Sequence, residues 1–140
     1  MTQRTSPTPA EQSASYAYNR FNRAKFVVGA SVAHVVNVAV QLQDARAQNI
    51  QQRCQCSVYL SDNPDGSTLT GTAPTTATAI GTNGVILNSA NSGGTFLEVL
   101  CNASGQFDVN VTYVTAPHNF YLVVCTPDGG ITVSPIIAVT

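Results

Sequence analysis

The amino-acid sequence predicts an all-β protein, an antiparallel β-sandwich with an extended N-terminal arm. Three observations carry that expectation. From residue 35 onward apolar residues recur with a period of two, and no helical period is visible. Turn-forming clusters of Gly, Pro, Asn and Asp punctuate the chain every 8–12 residues or so. The apolar fraction is 44%, enough to build a core, while charged residues make up only 9%, far below the ~25% of an ordinary soluble domain.

Residues 1–15, MTQRTSPTPAEQSAS, show no hydrophobic period and hold two prolines. Fixing each such residue costs roughly 1–2 kcal/mol, so this stretch is expected to take shape only against something else. Residues 16–28 interleave Tyr16, Tyr18, Phe21 and Phe26 with Arg20, Arg23 and Lys25. Tyr, Phe and Arg are the side chains that anchor interfaces, so Arg4 and these seven residues are the expected partner-binding set. A first strand or short helix of the domain is the other reading of this stretch. The mixture could also stack on single-stranded nucleic acid, but it holds three cations and precedes no nucleic-acid-binding fold, so no nucleic-acid partner is expected. The division expected is an arm over residues 1–34 and a sandwich over 35–140.

Within the sandwich, Val36, Val38, Val40 and Leu42 alternate with Asn37, Ala39, Gln41 and Gln43, the pattern of a half-buried strand. After a turn at 44–49, Cys54, Cys56, Val58 and Leu60 share one face of a second strand. Asn63-Pro64-Asp65-Gly66 is a turn, because Pro presets φ and Gly accepts positive φ. Residues 67–79 read as a loop or weak edge strand, and 81–84 turn into a short strand at 85–87. Residues 96–101 and 107–114 read as a hairpin around Asn102-Ala103-Ser104-Gly105, with Phe107, Val109, Val111 and Tyr113 on one face. The nearly continuous apolar run 120–125 reads as a central strand. Pro127-Asp128-Gly129-Gly130 turns into 131–133, and a final stretch, 135–139, closes the chain.

The charges are segregated. All six cations, Arg4, Arg20, Arg23, Lys25, Arg46 and Arg53, precede residue 54, against two acids, Glu11 and Asp44. From residue 54 on there are five acids and no Lys or Arg, so the formal total of −1 hides a basic front end joined to an acidic body. Such asymmetry suggests a tail that meets a partner, including a neighbouring copy. A surface of Thr, Ser, Asn and Gln suits close packing in an assembly, because burying a neutral amide or hydroxyl costs less than burying an ion. No run approaches the ~20 apolar residues that cross a bilayer, so no membrane partner is expected, and Met1 to Ala10 is too polar for a signal peptide. The absence of a signal suggests folding in a reducing cytosol.

No catalytic or metal constellation is evident. Cys54, Cys56, Cys101 and Cys125 lack CxxC spacing and read as small core residues, with a thiolate cluster or a disulfide between distant strands as the weaker readings. His34 and His118 have no nucleophile motif beside them. Asp62 and Asp65 stand in a turn that lacks calcium-loop spacing. No cofactor, metal or catalytic residue is expected.

The segments VNVAVQLQD (36–44), VYLSD (58–62), AIGTNG (79–84), 96–105 and FYLVVCTPDGG (120–130) together resemble the immunoglobulin-like capsid decoration, or cement, proteins of tailed bacteriophages and related virion modules. The sequence has no Trp and no suitably placed Cys pair, so it differs from antibody-type domains; a sandwich of the same architecture requires neither. The resemblance implies a non-enzymatic virion protein, made in the host bacterial cytoplasm. It would bind the outer capsid surface, touch major capsid protein and neighbouring copies of itself, and form a homo-oligomer. The arm lies outside the resemblance, and its role as a clamp rests on the charge argument. Each aromatic that it buries would contribute about 1.5–3 kcal/mol, against at most ~1 for an exposed ion pair, so aromatics would hold and charge would select. A neck, tail or fibre-attachment module is the alternative within the virion. A carbohydrate or cell-surface binding module, with Tyr59 and Tyr113 as stacking faces, is the alternative from another class.

Overall fold

The computed structural model describes residues 21–88, 94–115 and 117–140. The fold is all-β, as the sequence predicts: two antiparallel sheets packed face to face. The strands are β1 (Arg23–Val28), β2 (Val35–Gln43), β3 (Gln55–Ser61), β4 (Thr76–Ile80), β5 (Val85–Ile86), β6 (Phe96–Leu100), β7 (Gln106–Thr112), β8 (His118–Cys125), β9 (Ile131–Val133) and β10 (Ile137–Val139). One sheet runs β1-β2-β7-β4. The other runs β10-β8-β3-β6-β5, with β9 also paired to β8.

The alternation read in the sequence sets the core. Val36, Val38, Val40 and Leu42 of β2 and Phe107, Val109 and Val111 of β7 are buried from one side; Val58, Leu60, Leu97, Val99, Phe120, Leu122 and Val124 meet them from the other. Each such side chain stabilises the fold by roughly 1.5–3 kcal/mol relative to exposure. In β8, Leu122, Val123 and Val124 are all fully buried, which fits a strand covered on both faces. It lies between β3 on one side and β9 and β10 on the other.

Two expectations are corrected. Residues 96–101 and 107–114 do not form a hairpin. The turn exists: Gly105 N–H donates to Asn102 O at 3.0 Å, with Gly105 at φ 72°. Its flanking strands, however, part into different sheets, β6 beside β3 and β5, β7 beside β2 and β4. A turn and two alternating runs are common to a hairpin and to an arch between sheets. The pattern does not say which sheet receives each run.

The second correction concerns residues 23–28, expected within the arm. They form β1, paired through six residues with β2, from Arg23↔Gln43 to Val28↔Val38. Ala24, Phe26 and Val28 turn toward the core, and Arg23, Lys25 and Val27 face outward. The first described strand of the sandwich therefore starts at Arg23, inside the 1–34 segment.

The sandwich has two ends. Phe21 and the turns at 44–49, 102–105 and 126–130 lie at one. The β1–β2 connection, the start of β8 and Thr140 lie at the other, where Thr140 N–H donates to Ser31 Oγ at 3.0 Å. Tyr113 closes that second end, stacked on His118 at 4.1 Å and tilted against Phe120 at 5.5 Å.

Candidate docking surface

The eight residues expected to bind a partner divide into three groups. Arg4, Tyr16, Tyr18 and Arg20 lie outside the described residues. Phe21 is 2% exposed and belongs to the core, and Phe26 packs against that core from β1. These two aromatics are consumed internally: the inward alternation of Ala24, Phe26 and Val28 seats β1 on the sheet and draws Phe21 in behind it. Arg23 and Lys25 are exposed on the outer side of the same strand, where they mark the sheet edge with charge.

Beside Lys25 the outer face of the first sheet holds a groove of about 300 Å³, lined by Val27, Ala39, Gln41, Asn49, Asn83 and Gln106 among others. Its polar lining is almost entirely side-chain amide. Gln41 Nε2 donates to the carbonyls of Leu42 and Ser104, both at 3.0 Å, and so ties β2 to the β6–β7 turn.

A second groove of about 310 Å³ lies on the other sheet, at the end where the described chain begins. Phe21, Gln55, Ser57, Glu98, Cys125 and Pro127 are among its walls. Glu98 supplies the negative charge. Its Oε1 accepts from Ser57 Oγ at 2.6 Å and its Oε2 from Gln55 Nε2 at 3.4 Å, while its backbone N–H donates to Asn88 Oδ1. The lining combines an acid, neutral hydrogen-bonding groups and an aromatic edge, a set suited to a cationic side chain with an apolar stem.

One polar cluster was missed in the sequence. Asp108 reads as an outward strand position, yet it is only 6% exposed. Its carboxylate accepts the backbone N–H of Thr82 at 2.9–3.0 Å and of Asn83 at 2.6 Å, and Asn37 Nδ2 at 2.8 Å. Burial raises the carboxyl pKa, but the Asn83 N–H, the Asn37 amide and the Thr82 N–H outweigh it and hold the group below its ordinary range. A Cβ at Gly81 would run into this carboxylate. The signal that could have revealed it is the Gly81-Thr82-Asn83-Gly84 turn itself, whose N–H groups need an acceptor.

Asp62, Asp65, Tyr59 and Tyr113 each bond to nearby loop groups. Asp62 accepts from Thr70 Oγ1 at 2.6 Å and Gly71 N–H at 3.0 Å. Asp65 accepts from Ser67 N–H. Tyr113, expected as a sugar-stacking face, is 1% exposed and donates to Thr72 O, and burial pushes its hydroxyl up to about 12. Tyr113 therefore offers no open stacking face. Tyr59 is half-buried and donates to Gly66 O at 2.7 Å.

No helix among the described residues is long and apolar enough to cross a membrane. No family model matches the chain, and no curated protein matches it. Among solved structures it is similar to a stretch of a β-glucuronidase from glycoside hydrolase family 2, with TM-score 0.46 and 13% identity. The likeness covers 86% of this chain and 12% of that one, and it carries no argument about activity.

Proposed function

We propose that this chain is a structural, non-catalytic module that docks on other protein subunits through its basic front end, as a decoration protein on the outside of a phage capsid would. The observation that carries the reading is the segregation of charge: six cations before residue 54, none after it, and acids throughout the body. The described geometry is compatible with that role. The cations Arg23 and Lys25 line an exposed sheet edge, and the adjoining segment 1–20 joins the body at Phe21, on the rim of the groove that holds Glu98. Major capsid protein and neighbouring copies of this chain are the proposed partners. In a shell the contact repeats many times, so a modest affinity per copy suffices.

The test is deletion of residues 1–20, which keeps Phe21 and all of β1. We expect a body that unfolds within a few degrees of the full chain and no longer binds capsids. Undiminished capsid binding by this body would overturn the arm as the clamp. Copy number separates positions within a virion: hundreds per particle fit the shell, a dozen or fewer a neck or tail. A second reading, glycan binding, is favoured by the amide-lined groove around Gln41, Asn83 and Gln106. It predicts binding of the isolated body to a glycan array, lost in Gln106→Ala.

A further inference from the structure

The geometry points to a disulfide-forming pair: Cys54 and Cys101 are placed to be oxidised to a cross-strand staple between β3 and β6. The pairing of these strands ends at Gln55↔Leu100, and one residue further out Cys54 stands opposite Cys101. Cys101 N–H donates to Cys54 O at 3.0 Å, one of the two backbone bonds that opposed antiparallel residues can exchange; Cys54 N–H turns to the Cys101 sulfur instead. Directly opposed antiparallel residues hold their Cα atoms about 4.5–5.5 Å apart, inside the ~4.4–6.8 Å that a disulfide spans. Opposed residues also point to the same face of a sheet.

The side chains converge. Cys54 N–H donates to Cys101 Sγ at 2.9 Å, and both thiols aim at one acceptor, the carbonyl of Gln52, at 3.9 and 3.6 Å. Cys54 is half-buried and reachable, whereas Cys101 is fully buried behind it. That division gives each a role in thiol–disulfide exchange. Deprotonated Cys54 attacks one sulfur of a small-molecule disulfide such as oxidised glutathione and releases one thiolate. Cys101, once deprotonated, attacks the Cys54 sulfur of the mixed disulfide and releases the second. The protein thiols together lose two protons and two electrons, and the small disulfide is reduced to two thiols.

Burial and the adjacent Cys101 thiol push the Cys54 thiol up, which lowers its thiolate fraction and slows the exchange; closure of the pair belongs to an oxidising medium rather than a glutathione-rich cytosol. Cys56 and Cys125 have no such register. Cys56 is opposite Val99, and Cys125 is opposite Ile131.

The experiment uses the full chain, incubated with oxidised glutathione, then alkylated and mapped by peptide mass spectrometry. The expected product retains two alkylatable cysteines, Cys56 and Cys125, and yields a peptide joining Cys54 to Cys101. Its thermal midpoint lies roughly 5 °C or more above that of the reduced chain, because the bond closes a long loop. Cys54→Ser, a change at a half-exposed site, gives neither the linked peptide nor the shift. Four alkylatable cysteines after oxidation, a glutathione adduct that stays on Cys54, or a linkage through Cys56 would each overturn the assignment.

Discussion

At the scale of single residues, Asp108 does more than its outward position on β7 suggests. It joins three pieces of chain: Asn37 on β2, the 81–84 turn, and its own strand. Asp108→Asn keeps the shape but presents an amide N–H to backbone donors. We expect it to lower stability by about 1–3 kcal/mol, read as a fall in the urea midpoint. The pH dependence follows from the lowered carboxyl. A group that binds its proton more weakly when folded contributes stability above its unfolded pKa of ~3.9, and loses that contribution as pH falls through the folded value. The wild-type chain should therefore lose more stability than Asp108→Asn between pH 5 and acid conditions near pH 2. Equal acid sensitivity of the two proteins would show that the cluster is not the source.

At the scale of elements, the strands were more legible than their partners. The alternation in β2, β3 and β7 and the apolar run of β8 are strong because each strand has at least one face in the core. β1 has the same alternation in Ala24, Phe26 and Val28, but two of its outward positions are cations and the third is the apolar Val27, so the period is masked. The arch at 102–105 was unreadable for another reason: alternation reports which side chains go inward, and two facing sheets share one inside. The β1–β2 connection departs from local preference altogether. Val32 and Val35 pair across Ala33 and His34, at φ 52° and 68°, the two-residue mirror-image turn that favours Asn-Gly. Left-handed backbone costs an ordinary residue roughly 1–2 kcal/mol, although the loss is smaller for polar side chains. The double change Ala33→Asn with His34→Gly is expected to raise stability by about 1–2 kcal/mol, checked by thermal unfolding. No gain would mean that these side chains make compensating contacts at the turn.

At the scale of the whole molecule, the balance of forces in docking shifts once Phe21 and Phe26 are assigned to the body. Tyr16 and Tyr18 are the aromatics left for a partner, set beside Arg4, Arg20, Arg23 and Lys25. Exposed ion pairs are worth at most ~1 kcal/mol each and weaken with salt. Binding to capsids should then be appreciably salt-sensitive, falling on the order of tenfold or more as ionic strength rises from 0.05 to 0.5 M, as measured by co-sedimentation. Salt-independent binding would return the weight to apolar contacts. The placement of the chain's two described extremities has a practical corollary. Phe21 leaves one pole of the sandwich and Thr140 sits at the other, beside Ser31, with the six residues of β1, roughly 20 Å of extended chain, between the two poles. If the first pole is the foot that stands on a surface, whatever follows Thr140 is held aloft. A peptide grafted there would be presented to the medium, clear of the anchoring side, which makes the molecule a natural pedestal for display.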